Sequence, residues 1–522
     1  MKVFALLPTV FLVAAVATAE DKPPAPKLPL GKDTTFVTGP LDKHGYIDYE
    51  AALNAELGKG ITRENNAHAL LVQAFGPAPE GGDGMPLDYF RWLDIPVPPK
   101  DGEYFIGMTA YVRDKLGLSG ARLEAFFEVQ GRVMQRPWVS KDCPPMAEWL
   151  KANEKPLALV TEAMKRPEYF NPLVSRRNPG EASNLIGTLL PTVQKCRELA
   201  TTFTARAMLR LKDGKLDDAW VDLMTVHRLG RLVSRGGTLI ESLVGIAIGQ
   251  IASNSTLAYL EHPDLTSKRA LACLKELQGL PRATPLADKI GVCERMMGLD
   301  AIQYIRRSGG AGGLDNLFAG ENFVIVDEKK AFETVDWTTV MQSLNKGYDR
   351  LDAALRLKDR AARLKEFEKI ENDYKDIKKE FADPEKAKKF MKENEKDGKA
   401  LGKALGDVLM GMLSPALQKV QQAHDRSEQV AANLQVAFAL AAYHKDNGDY
   451  PAKLTDLAPK YLSTVPTDLF ANKALTYKPG EKGYLFYSVG VNGKDEDGRW
   501  YDDEPPGDDL RVKMPLPELK KQ

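Results

Sequence analysis

The chain has 522 residues, of which 43% are hydrophobic and 28% charged, enough apolar material for a sizeable core and for two to four domains. Its 72 basic side chains balance its 72 acidic ones. That balance removes the usual electrostatic case for a nucleic-acid or anionic-membrane partner, which rests on a basic field.

The first residues, MKVFALLPTVFLVAAVATA, combine Lys2, an apolar stretch from Val3 to Val16, and small residues at Ala17 and Ala19. This pattern predicts a secretory signal peptide over 1–19. The apolar stretch is short for a bilayer span, and no later segment reaches about 18 uninterrupted apolar residues. The expectation is therefore an exported protein, periplasmic or extracellular, with no transmembrane span after signal cleavage. Cys143, Cys196, Cys273 and Cys293 all follow the signal. Export would permit disulfides among them, buried free thiols are equally consistent, and none sits in a CxxC spacing that would suggest zinc or thioredoxin chemistry.

A proline-rich tether is expected over 20–45 and a helical domain over 46–330. Residues 48–75 read as a helical pair, with Thr62 as N-cap of the second helix and Ala67, Leu70, Leu71 and Ala74 on its apolar face. The Gly- and Pro-rich stretch 76–100 reads as loop. Helical patterns resume at 107–117, 120–134, 145–165 and 182–212, and Asp213-Gly214 turns the chain into another helix. One such copy makes a helical hairpin, not a solenoid, which needs about three repeats.

Residues 236–252 read GGTLIESLVGIAIGQIA. Gly236, Thr238, Leu239, Ile240 and Glu241 resemble the processing site of a prepilin, although Gly237 stands where that motif has Phe. The position, more than 200 residues behind a separate signal, and the interruptions at Glu241 and Gln250 favour a buried helix. Leu243, Ala247 and Ile251 would form its stripe, with Gly245, Gly249 and Ser253 as a small-residue groove for a neighbouring helix. The GGAGG run at 309–313 lacks the GK[ST] of a phosphate loop and reads as a flexible loop.

Over 331–400 the expectation is a charged helical hairpin. Phe367, Ile370, Tyr374, Ile377 and Phe381 recur at spacings of 3 and 4 as an amphipathic seam, and Asp383-Pro384 starts a further helix. Residues 401–447 follow as one strongly helical stretch, expected to kink at Pro415 and to stop at Asn447-Gly448. A short helix and two β-rich runs around PGEKG come next, and then an acidic tail.

The motifs AAYHKDNGDYP, KYLSTVPTDLF and YLFYSVGVNGKDEDG, in this order over residues 405–503, resemble the C-terminal domain of the major pseudopilins of type II secretion. The helical region before them resembles uncharacterised exported proteins. The fold class expected is thus mainly α: a large multi-helix domain followed, over 401–512, by a small α+β pseudopilin-like domain of long helix plus β-hairpin. The resemblance also implies a calcium site in the loop after the YSxG strand. Its ligands would come from Val489 through its carbonyl, from Asn492 in place of the family's Asp, and from Asp495, Asp497, Asp502 and Asp503. Calcium takes six to eight oxygens, several of them from carboxylates.

The six histidines, at 44, 68, 227, 262, 424 and 444, form no HxH, HxxxH or HExxH, and no GxSxG is present. His227, between Val226 and Leu229, reads as a packing residue. The sequence therefore predicts an exported non-catalytic structural or protein-interaction protein, with protein partners at the cell envelope and a calcium-stabilised C-terminal module. The alternative is an exported hydrolase whose carboxylates converge between helices, which a deep pocket with perturbed Asp or Glu residues would favour.

Overall fold

The computed structural model describes residues 24–79, 84–175, 182–188, 190–308 and 329–519. The signal segment, the GGAGG run and most of RRNPGEA lie outside them. The chain is mainly helical with a small antiparallel sheet at its C-terminal end. In chain order the helices are α1 (Tyr49–Leu57), α2 (Ala67–Phe75), α3 (Leu87–Trp92), α4 (Met108–Asp114), α5 (Ala121–Val133), α6 (Pro144–Ala152), α7 (Glu154–Ala163), α8 (Pro191–Lys212), α9 (Leu216–Val233), α10 (Leu239–Leu260) and α11 (Ser267–Gln278). Then come α12 (Leu286–Lys289), a π-helical turn at Ile290–Glu294, α13 (Arg295–Arg307), α14 (Lys329–Thr334), α15 (Trp337–Leu355), α16 (Arg360–Phe381), α17 (Pro384–Glu393) and α18 (Gly398–Asn447).

Local chemistry accounts for most of these boundaries. Asp336, Asp359, Asp383 and Asp397 cap the starts of α15 to α18 by accepting backbone N–H groups of the first turn. Gly448 ends α18 in the left-handed region at φ 86°, returning its N–H to the His444 carbonyl. Some boundaries differ from the sequence expectation. The cap of α2 is Asn66, whose side chain accepts from His68 N, while Thr62 opens the preceding turn. The 145–165 pattern is two helices parted at Asn153, because its amide turns to the Ile106 backbone and the Trp149 carbonyl. Pro191 delays α8, and α3 occupies part of the stretch read as loop. The helical hydrogen bonding of α18 continues past Pro415.

Residues 28–45, expected as part of a tether, are packed down. Leu28, Thr34 and Thr35 are buried, Tyr49 donates to the Thr35 carbonyl at 2.8 Å, and Asn345 donates to the Thr34 carbonyl at 2.7 Å. The apolar seam of α16 is also satisfied inside the protein, with Phe367, Ile370, Tyr374 and Phe381 buried in one core with α15 and the first half of α18. At about 1.5 Å per residue, α18 is about 75 Å long, and its two halves serve different cores. Leu401 to Leu417 pack with α13 and α15 to α17, whereas Leu434 to Ala442 pack with α8 to α11. The expected divide at residue 400 is therefore not a boundary between cores.

Strands β1 (Thr467–Asp468) and β2 (Lys473–Ala474) form a minimal pair, and β3 (Thr476–Gly480), β4 (Gly483–Ser488) and β5 (Leu510–Met514) form an antiparallel sheet in the order β3-β4-β5. β5 extends the expected hairpin, pairing Phe486 with Val512 and Ser488 with Leu510. Tyr484, Phe486, Val512 and Met514 enter the same hydrophobic core as Trp220 and Phe438. The sheet is thus fixed to the helical body through the second half of α18, where Asn433 donates to the Leu510 carbonyl at 2.8 Å.

α10 carries the GGTLIES sequence. Thr238 and Glu241 form a reciprocal capping box at its start. By length and composition α10 could cross a membrane, but 56% of its most apolar window is buried inside the protein, where it packs on α8, α9 and α18. Its buried stripe lies one residue beyond the expected one, through Val244, Ile248 and Ala252, and Leu243 is exposed. The small residues do allow close approach, since a Cβ at Gly245 would meet the Ser234 backbone nitrogen at 2.5 Å. The four cysteines are free and buried.

Candidate functional site

The loop between β4 and β5 is folded back on the segment that enters β5. Gly490, at φ 69°, starts the reversal, and only glycine fits, because a Cβ would lie 2.2 Å from the Asp508 carbonyl and 2.7 Å from Asp508 Oδ1. Asp508 Oδ2 accepts the Asn492 N–H at 3.1 Å, and Glu496 Oε2 accepts the Asp508 N–H at 2.8 Å. Asp509 Oδ2 accepts the N–H groups of Glu496 at 3.1 Å and Gly498 at 2.7 Å. These bonds bring the carboxylates of Glu496, Asp508 and Asp509 together, with one oxygen from each lying within 4.8 Å of the others.

Two of those carboxylates are left incomplete. Asp508 Oδ1 and Asp509 Oδ1 are buried and accept no hydrogen bond from any described residue, a costly state for an anion removed from water. Asp509 is wholly buried. Burial pushes its carboxyl above the usual range and the Glu496 and Asp495 charges add to this, while the Gly498 and Glu496 N–H groups pull it back. The Asp508 N–H instead draws the Glu496 carboxyl below its usual value. Three converging carboxylates, two of them with an unpartnered oxygen, could hold a divalent cation.

The residues expected from sequence are distributed around this cluster. Asn492 touches it, donating from Nδ2 to Glu496 Oε1 at 2.8 Å. Asp495 lies beside it but accepts the Tyr487 hydroxyl at 2.9 Å and the Asp497 N–H at 3.0 Å. Asp497 pairs with Lys478 at 2.7 Å, Asp503 pairs with Arg511, and Asp502 is exposed. Val489 gives its N–H to Asp468 Oδ2 at 2.8 Å. Asp468, almost fully buried, also accepts from Ser488 and the turn after β1, so the TDLF motif secures the base of the loop. Glu496, Asp508 and Asp509 were not anticipated. The available signal was the GDD run directly before the alternating LRVKM, which places two carboxylates at the mouth of a strand.

A second carboxylate cluster bears on the hydrolase alternative. Glu241 is buried and accepts from Asn171 at 3.0 Å and from the Thr238 N–H and hydroxyl at 3.0 Å each. Asn171 accepts from Tyr89 at 2.9 Å, whose hydroxyl meets His68 Nε2 at 2.6 Å. Glu294 accepts the Leu239 N–H at 2.9 Å. Burial raises both glutamates and lowers Lys289, which feels both carboxylates and donates to the Gly236 carbonyl. His68 is held neutral, pushed down to about 3 by burial. Neither glutamate lines any of the three described cavities. Their hydrogen bonds go to the start of α10 and, from Glu241, to Asn171, which is the geometry of a structural junction. His227 is likewise a packing residue, its Nε2 3.0 Å from Thr256 Oγ1.

No protein-family model matches the chain, and no curated protein or solved structure matches it.

Proposed function

We propose that this chain is an exported, non-catalytic structural or protein-interaction protein of the cell envelope, in which a pseudopilin-like C-terminal module is held in shape by calcium. The observation that carries the reading is the pair of buried, unpartnered oxygens on Asp508 and Asp509 beside Glu496. A cation held by these three residues, with Asn492 adjoining, would neutralise the cluster. It would tie the β4–β5 loop to the strand that α18 grips through Asn433. Calcium is plentiful outside the cytoplasm, so an exported module could depend on it for rigidity while presenting helical surfaces to protein partners.

The test is thermal unfolding with and without millimolar calcium after EDTA treatment. A higher melting temperature in calcium for the wild type, lost in Asp509→Asn, is the expected result. A melting temperature indifferent to calcium in both proteins would remove the metal from the proposal. Cell fractionation with N-terminal sequencing of the mature chain tests export directly, and an unprocessed cytoplasmic chain would refute it.

A further inference from the structure

α9, α10 and the middle of α18 leave a cleft of about 70 Å³ between them. Arg231 enters it from α9, yet it makes no ion pair or side-chain hydrogen bond with any described residue. Three nearby arginines are paired, Arg206 and Arg210 with Asp222 and Arg235 with Glu168. Burial pushes the Arg231 guanidinium below its usual range, and the Glu428 charge pulls it back without an ion pair forming. The same cleft is lined by Ser242, Thr284 and Ser427, whose hydroxyls form no hydrogen bond with described residues, and by His424, whose buried Nδ1 has no partner among them. A half-buried guanidinium in a cleft that also holds unused hydrogen-bonding groups is complementary to an oxyanion.

The free space of about 70 Å³ exceeds the roughly 10–15 Å³ that one water needs, so the cleft has room for a carboxylate headgroup. A second cavity of about 190 Å³ shares Gln250, Ser253, Val430 and Leu434 with the first and continues beneath Leu257, Trp500 and Val512. Its walls are mixed, with Leu257, Trp500 and Val512 on the apolar side and Asn254, Asn433 and Arg511 on the polar side. From His424 to Leu434 the two run along about 15 Å of α18, at ~1.5 Å per residue.

We infer that the two cavities form one binding site for an apolar carboxylic acid, with the carboxylate on Arg231 and the apolar body lying along α10 and α18 toward Trp500. Two sources share this chemistry, a fatty acid and the free C-terminus of an apolar peptide. Because Trp500 belongs to the β4–β5 loop, an occupant would bridge the helical body and the C-terminal sheet.

Isothermal titration calorimetry on the full mature chain in EDTA, which separates the result from any calcium effect, tests this with dodecanoate, dodecanol and an apolar hexapeptide as free acid and as C-terminal amide. Saturable one-to-one binding of dodecanoate or of the peptide acid is expected, with the alcohol or amide weaker. Arg231→Gln should weaken the acid about tenfold or more, the loss of a charge-assisted hydrogen bond, while Glu428→Gln should bind at least as tightly as wild type. Whichever acid binds identifies the source. Binding by neither acid, or equal binding of acid and uncharged analogue, or equal affinity in Arg231→Gln, overturns the inference. If Arg231→Gln fails to fold by circular dichroism, Ser427→Ala and Glu428→Gln carry the comparison. The first should weaken and the second should not, and Ser427→Ala binding as wild type then overturns it.

Discussion

The contact between α9 and α10 makes opposite predictions for two glycines one helical turn apart. A Cβ at Gly245 would lie 2.5 Å from Ser234 N, 2.6 Å from Ser234 Cβ and 2.7 Å from the Gly230 carbonyl, whereas carbon contacts settle at about 3.5–4.0 Å. Gly245→Ala must therefore move the helices apart by about 1 Å, and no rotamer change can relieve it because the obstacles are mostly backbone. Overpacking of this kind costs about 3 kcal/mol, the upper part of its usual range. Replacing glycine inside a helix returns about 1 kcal/mol, so the net loss is about 2 kcal/mol. At Gly249 a Cβ meets nothing within 4 Å, and Gly249→Ala keeps only the gain, about 1 kcal/mol. Urea unfolding followed by far-ultraviolet circular dichroism measures both. A Gly245→Ala protein as stable as wild type would refute the close approach of these helices.

The buried carboxylate of Asp222 holds Arg206 at 2.6 Å and Arg210 at 2.7 Å across α8 and α9. Asp222→Ala strands two partly buried guanidiniums and should cost about 3 kcal/mol in the same assay, the low end for breaking a buried pair because both arginines keep some solvent; a loss under about 1 kcal/mol would show that water replaces the carboxylate. The Asp509 carboxyl is raised by burial, and the sign of its pH effect follows from that. Its protonated form is favoured in the folded state, so its contribution to stability is greatest in acid and is lost as pH rises from about 3.9, the unfolded value, through the raised folded value. In EDTA, the stability of Asp509→Asn relative to wild type should therefore grow from pH 3.5 upward and then level off. A difference that stays constant with pH would contradict the buried, uncompensated carboxylate.

The helical class of this protein was legible from apolar spacing and punctuation. Capping at Asp383-Pro384, the turn at Asp213-Gly214 and the stop at Asn447-Gly448 all depend on residues adjacent in the chain, so local chemistry suffices to place them. The α2 cap moved from Thr62 to Asn66 because Asn66 also donates to the distant Phe170 carbonyl at 2.9 Å, a partner the local sequence does not name. The stripe of α10 shifted by one residue for a similar reason: Val244 and Ile248 face helices whose positions depend on the whole bundle. Within the β4–β5 loop, the pseudopilin resemblance pointed to the acidic segment, but the carboxylates that converge there are Glu496, Asp508 and Asp509.

By itself the sequence determined the helix-forming segments, the turn that ends α18, the hairpin around Pro479 and the acidity of the last loop, since each is written within a few residues. Tertiary structure alone decided that α18 joins two cores, that 28–45 packs against the body, and that Arg231 forms no ion pair among the described residues. Those outcomes depend on which surfaces meet. The carboxylate cluster shows the physical reason: Glu496 and Asp509, 13 residues apart in the chain, are brought together by backbone N–H groups that Asp509 itself accepts, and such closure follows from the paired strands rather than from any local spacing.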